Sequence, residues 1–191
     1  MKSFNGLDGA REALDYFREE VIKAGFPGLH LQLVGWAGGG NPYLLGNEYN
    51  EGLDVQGIVE RLGANSVTTY NWTGSGIEED YLHWAENALA ARHNWDSTLD
   101  VPYIPVVSIG WDNTPRYPDF GKDRVVHIHN TPESFGAYLR KTVDFLEARP
   151  DQPRMIIINA WNEWVEGSYL EPDMLWGYGY LEAVRKVMKG E

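Results

Sequence analysis

Met155-Ile156-Ile157-Ile158-Asn159-Ala160 runs straight into Trp161-Asn162-Glu163-Trp164-Val165-Glu166-Gly167-Ser168-Tyr169-Leu170-Glu171-Pro172. The first six residues are nearly all apolar, the pattern of a parallel strand covered on both faces. The rest holds three glutamates, two tryptophans and a tyrosine. A buried strand that opens into a polar, aromatic loop is the local grammar of α/β enzymes, whose function sits at the C-terminal ends of the strands.

Working outward, the same unit recurs. Asp8 to Ala24 carries Ala10, Ala13, Leu14, Phe17 and Val21 at helical spacing, and Gly25 stops it. Leu29, Leu31 and Leu33 alternate with their neighbours and predict a strand, followed by the loop Gly35 to Pro42. A short helix over Asp54–Leu62 precedes a strand over Asn65–Asn71. A helix ending near Arg92 precedes a strand over Tyr103–Ile109. Thr131-Pro132 reads as an N-cap with proline at the first helical position, and Pro150 closes that helix. A last helix covers Tyr178–Met188. One helix followed by four βα units predicts an α/β fold with a parallel sheet and right-handed crossovers. The long aromatic loops all follow strands. A complete (β/α)8 barrel takes about 250 residues, so residues 1–191 are expected to form a single domain amounting to half of one. An open doubly wound sheet is the competing architecture, but Gly38-Gly39-Gly40 lacks the form of a phosphate loop.

Composition narrows the partners. A formal charge of −12 without a basic stripe argues against nucleic acid and against an anionic membrane surface. No apolar run approaches the ~18 residues of a membrane span, so no membrane insertion is expected. Without cysteine there is no disulfide or thiolate metal site. Met1 to Asn5 lacks the core of a signal peptide, which makes the cytoplasm the default location. Eight Trp and eleven Tyr are many for 191 residues. They serve packing, or they form platforms for the apolar faces of sugar rings.

Glu163 and Glu166 form a carboxyl pair three residues apart. Glycosidic chemistry needs one group to protonate the leaving oxygen and another to act on the sugar. Burial and mutual repulsion separate the two acidities. A solvated acidic loop anchored by tryptophans has the same composition.

The motif Asn-Glu-Trp-x-Glu-Gly-x-x-x-Glu-Pro at 162–172 resembles glycoside hydrolase family 99 and its bacterial relatives, the WbsX-type proteins of polysaccharide gene clusters. Ile109 to Arg116, Thr131 to Phe135 and Tyr178 to Ala183 resemble further blocks of WbsX-type proteins, in the same order. The resemblance runs from about Ala24 onward and implies the C-terminal half of a TIM-type (β/α)8 barrel. It also implies a carbohydrate-active, endo-acting, retaining enzyme for α-mannoside-like glycans. Glu163 would be the base on the sugar 2-hydroxyl, forming an anhydro-sugar, and Glu166 the acid and then the base. Val165, where family 99 proper often has His or Gly, places the chain nearer the WbsX-type branch, which has been labelled glycosyltransferase.

Around the catalytic pair, Trp111, Asp112, Arg116, Trp161, Asn162, Trp164, Tyr169 and Glu171 are candidate substrate contacts. Trp36, Tyr70 and Trp72 join them from the ends of the first two strands. Asp112 and Arg116 have an alternative role, pairing to fix their loop. His127 and His129 share a spacing that begins a metal site, but no third ligand accompanies them. No cofactor or metal is expected. A transferase working in O-antigen or polysaccharide synthesis is one rival, although no Asp-x-Asp motif marks a donor site. A non-catalytic sugar-binding half-domain is another. An oligosaccharide or polysaccharide is the expected partner. Half a barrel also implies self-association or an N-terminal half-barrel that closes the sheet.

Overall fold

The structure, a computed structural model, describes residues 6–35, 52–72, 80–112, 114–116, 126 and 128–190. In chain order it comprises α1 (Gly6–Lys23), β1 (Gln32–Gly35), α2 (Val55–Leu62), β2 (Ser66–Thr69) and α3 (Tyr81–Thr98). Then come β3 (Val106–Ser108), α4 (Pro132–Glu147), β4 (Ile157–Asn159), the two-residue strands β5 (Asn162–Glu163) and β6 (Ser168–Tyr169), and α5 (Gly179–Lys189).

β1 and β2 pair in parallel, as do β3 and β4. One parallel bridge, Val67 to Tyr103, joins the two pairs. There Val67 N donates to Pro102 O at 3.0 Å and Ile104 N donates to Val67 O at 2.8 Å. The spatial order is therefore the chain order, each strand beside its predecessor. A doubly wound sheet reverses its order at a switch point, and this one does not. The arrangement is compatible with part of a barrel.

Local chemistry sets the helix ends. Asp54 caps α2 by accepting from Gly57 N, and Gly63 ends it in the left-handed conformation. Asp80 caps α3 through Leu82 N. Thr131 and Ser134 cap each other's backbone at the start of α4, with Pro132 at the first turn. α3 extends past Arg92, where the sequence predicts its end. The residues after Arg92 look polar, but Trp95 stacks on Tyr103 at 6.0 Å and the Arg92 guanidinium lies 4.2 Å from the Phe145 ring. Tertiary packing thus holds two further turns.

Two apolar clusters result. One gathers Leu7, Ile58, Val59, Leu62, Val67, Trp95 and Tyr103 between α1, α2 and β2. The other gathers Trp72, Tyr81, Trp84, Val107, Ile109, Phe135, Leu139, Leu170 and Tyr180 under the 162–169 hairpin. β4 corrects one expectation. Its apolar residues Ile157 and Ile158 are only half-buried and Met155 is 52% exposed. The strand is composed for cover on both faces, but it is an edge strand here. No helix among the described residues is long and apolar enough to cross a membrane.

Candidate functional site

The strands end in polar residues: Thr69 on β2, Ser108 on β3 and Asn159 on β4, with Ser108 and Asn159 opposite each other in register. A barrel enzyme builds its site on that edge. The chain leaves β4 there, through a cis peptide between Asn159 and Ala160, and folds into a small hairpin. Asn162 pairs with Tyr169 and Glu163 with Ser168. Between them Trp164–Glu166 form one 3₁₀ turn, closed by Gly167 at φ 61°.

Three ties fix the hairpin. Leu170 N donates to Ala160 O at 3.0 Å, closing its base. Asp112 N donates to Glu166 O at 2.7 Å, and the Ser168 hydroxyl donates to Gly110 O. The loop after β3 therefore holds the turn that carries Glu166. Gly167 is required at this contact: a Cβ would lie 2.9 Å from Asp112 Cβ and 3.0 Å from Asp112 N.

Glu163 and Glu166 converge on one cation. Arg116 donates through Nη1 to Glu166 Oε1 at 2.6 Å and through Nη2 to Glu163 Oε1 at 3.1 Å. The three-residue spacing alone does not dictate this. The hairpin strand presents Glu163, and the 3₁₀ turn brings Glu166 back to the same guanidinium. The pair is asymmetric: Glu166 is 6% exposed while Glu163 is half-buried. Burial raises the pKa of the Glu166 carboxyl, Arg116 opposes this, and the neighbouring Glu163 charge adds to it; the net direction is upward. The Tyr70 hydroxyl bears on the same carboxylate and favours its charged form. Tyr70 itself is held above its ordinary pKa, by burial first and then by the charges of Glu166 and Glu163. It stays a proton donor beside the pair. The Asn159 side chain bonds it from β4.

The aromatic residues divide. Trp164 stacks on Tyr169 with ring centroids 3.7 Å apart, and its indole N–H donates to Glu171 at 2.7 Å. The Tyr169 hydroxyl donates to Asp173 at 3.0 Å. Trp161 stands 53% exposed beside them, and Asn162 is also exposed. Trp111 packs partly buried against the core. Trp72 is a core residue instead of a substrate contact: it is 4% exposed, and its indole N–H donates to Val106 O at 2.9 Å. Asp112 faces its own loop, accepting from Thr114 N at 2.9 Å. Arg116 pairs with the glutamates, so the expected Asp112–Arg116 alternative is not formed. Trp36, the following loop with Asn41 and Tyr43, and His127 lie outside the described residues. His129 bonds Asp80 Oδ2 through Nδ1 at 3.0 Å. Asn159 is the residue that sequence reasoning missed. Its signal was present, as the one polar side chain at the end of an apolar strand.

A family model described as Glycosyltransferase WbsX matches residues 5–184. Two proteins from strains of Xanthomonas campestris pv. campestris, each named uncharacterized protein WxcX, are 41% and 40% identical over 110 residues. The match takes in 57% of this chain and 15% of each relative, so the chain spans a small part of their length. A solved structure described as a glycoside hydrolase-like protein aligns with a TM-score of 0.55 at 16% identity, over 93% of this chain and 49% of that one. The GH99 endo-alpha-mannosidase from Bacteroides thetaiotaomicron aligns with a TM-score of 0.44 at 17% identity, over 69% of this chain and 38% of that one. The first likeness bears on the fold, of which this chain holds about half. With residues 5–184 matched, blocks and hairpin included, the chain belongs to the WbsX glycosyltransferase family.

Proposed function

We propose that this chain carries the catalytic half of a glycan-processing barrel, in which Glu163 and Glu166 act together on a glycosidic bond. The observation that supports it best is the asymmetric pair on one guanidinium: Glu166 buried with raised pKa, Glu163 more open, both held by Arg116. A carboxyl group whose proton affinity is raised by burial suits a general acid. Its more exposed partner suits a base.

On this reading the Glu163 carboxylate accepts the proton of the sugar 2-hydroxyl as that oxygen attacks the anomeric carbon. The glycosidic bond breaks, and the leaving oxygen takes the proton of Glu166. A 1,2-anhydro-sugar remains. Glu166, now a carboxylate, accepts a proton from the incoming water or hydroxyl, which opens the three-membered ring. The 2-oxygen recovers its proton from Glu163. Two inversions give retention. α-Mannoside-like glycans are the first substrates to test, on the resemblance of the 162–172 motif to family 99.

Water as acceptor gives a hydrolase, and a sugar hydroxyl gives a transferase. The family's description favours the second, and the same two carboxylates serve either. Mass spectrometry after incubation with an α-mannan oligosaccharide in ¹⁸O-water separates them. A labelled reducing end marks hydrolysis, and unlabelled lengthened products mark transfer. An assembled, folded protein that does neither on a broad glycan panel overturns the catalytic reading and leaves a sugar-binding domain.

A further inference from the structure

Next to the glutamate hairpin lies a concavity separate from the carboxylate pair. Its volume is ≈ 200 Å³, and Ile109, His129, Asn130, Thr131, Gly167, Tyr169, Leu175, Trp176 and Tyr180 line it. Drug-sized sites run from about 300 to 1,000 Å³, so this one takes something smaller. We propose that it binds one neutral pyranose ring, as a subsite adjoining the Glu163–Glu166 centre. The proposal rests on the reading of that centre as carbohydrate-active.

Four features point to a sugar. The first is the aromatic lining: Tyr169, Trp176 and Tyr180 border the cavity, Trp176 being the exposed one, and Tyr169 stacks on Trp164. The second is a prepared polar group. His129 Nδ1 meets the Asp80 Oδ2 carboxylate oxygen at 3.0 Å, which fixes the ring's orientation and leaves Nε2 as the ring's other hydrogen-bonding atom. Asp80 is itself held, since it caps α3 through Leu82 N at 2.8 Å. The third is that, among the described residues, the lining holds no Lys, Arg, Asp or Glu. These residues offer a phosphate or uronate no counter-charge, whereas a neutral ring needs none. The fourth is rigidity. Tyr180 donates its hydroxyl to Asn130 O, and the Thr131–Ser134 capping pair fixes the rim. Such a wall loses little freedom when a ligand docks.

The hairpin that carries the glutamates also contributes Gly167 and Tyr169 to this cavity. Gly167 closes the turn after Glu166, and its carbonyl side packs against Gly110. A glycan with one residue at the carboxylates thus has a neighbouring ring's berth along the same hairpin.

The test uses methyl α- and β-glycosides of mannose, glucose and galactose, followed by saturation-transfer NMR on the intact chain. At least one is expected to bind, with a Kd on the order of 1–10 mM as befits so small a ligand. His129→Ala and Trp176→Ala should each weaken it about 2–10-fold, the worth of a single hydrogen bond or a comparable contact. Glu60→Gln, on α2 away from the cavity, should leave it unchanged. Both altered side chains are exposed, and circular dichroism checks that the fold persists. Leu175→Gln replaces Trp176→Ala if that variant fails to fold. No transfer to any of these glycosides overturns the proposal, as does binding that all cavity variants leave intact. If cavity binding behaves as described while no glycan is turned over, the catalytic reading falls and the subsite stands. If turnover is found and cavity variants change neither binding nor KM, the subsite falls alone.

Discussion

Glu166 sits between opposing influences: burial and Glu163 push its proton affinity up, and Arg116 pulls it down. Because burial leads, the native state holds this proton longer than the unfolded chain does. The stabilising contribution of the protonated form is complete below the ordinary carboxyl value of 4.5 and is lost as pH rises through the raised native value. Glu166→Gln removes that loss. The melting temperature of the variant relative to the parent should therefore climb as pH rises above 4.5, and a flat difference would show that burial does not govern this group. In turnover, Glu166→Gln should slow substrates with poor leaving groups by about 10²–10⁴-fold and partly spare activated aryl glycosides in the first step. Glu163→Gln should slow both kinds, since on the proposed reading it acts on the sugar. Steady-state rates on a matched pair of substrates decide between these patterns.

The hairpin and the helix caps are the elements on which the site depends. Gly167→Ala forces an L-residue to φ 61°, costing about 1–2 kcal/mol, and sets a methyl against Asp112. The contact can be relieved only by moving the turn or the β3 loop, and either move separates Glu166 from Arg116. Loss of activity should therefore exceed the loss of stability, as read by comparing turnover per folded molecule with urea unfolding. Thr131→Ala offers the contrast. It removes one half of the capping pair on α4 and should cost about 1 kcal/mol. It lies at the rim of the proposed sugar subsite but away from the carboxylates, so the chemical step should be unaffected.

At the scale of the whole molecule, the sheet has two open edges among the described residues. Val34 on β1 is 45% exposed, and the apolar residues of β4 are half covered. Parallel strands are rarely left in this state, and bare edges invite pairing. Sedimentation at micromolar concentration should accordingly show this chain self-associating, with the 21.7 kDa monomer as the minor species. A sharp, cooperatively unfolding monomer would mean that the sheet is sufficient as it stands. Substituting Ile158→Lys on β4 should shift an associated form toward monomer. The same charge leaves an already monomeric chain unchanged in mass.

The sequence alone determined the order of elements, because periodicity, caps and prolines act over a few residues. Asp54, Asp80, Thr131 and Pro132 each sit within a turn of the ends they set. It also singled out Glu163 and Glu166, since a polar, aromatic loop after an apolar strand is visible in composition. The longer α3, the burial of Trp72 and the joining of Arg116 to both glutamates were decided only by tertiary structure. Each depends on residues about 35 to 50 positions apart: Trp72 with Val106, Arg92 with Thr142, Arg116 with Glu166. No local pattern encodes such a pairing. The acidity of Glu166 belongs with them, because spacing can place two carboxyls on one loop, but only the packed fold removes water from one and leaves it beside the other.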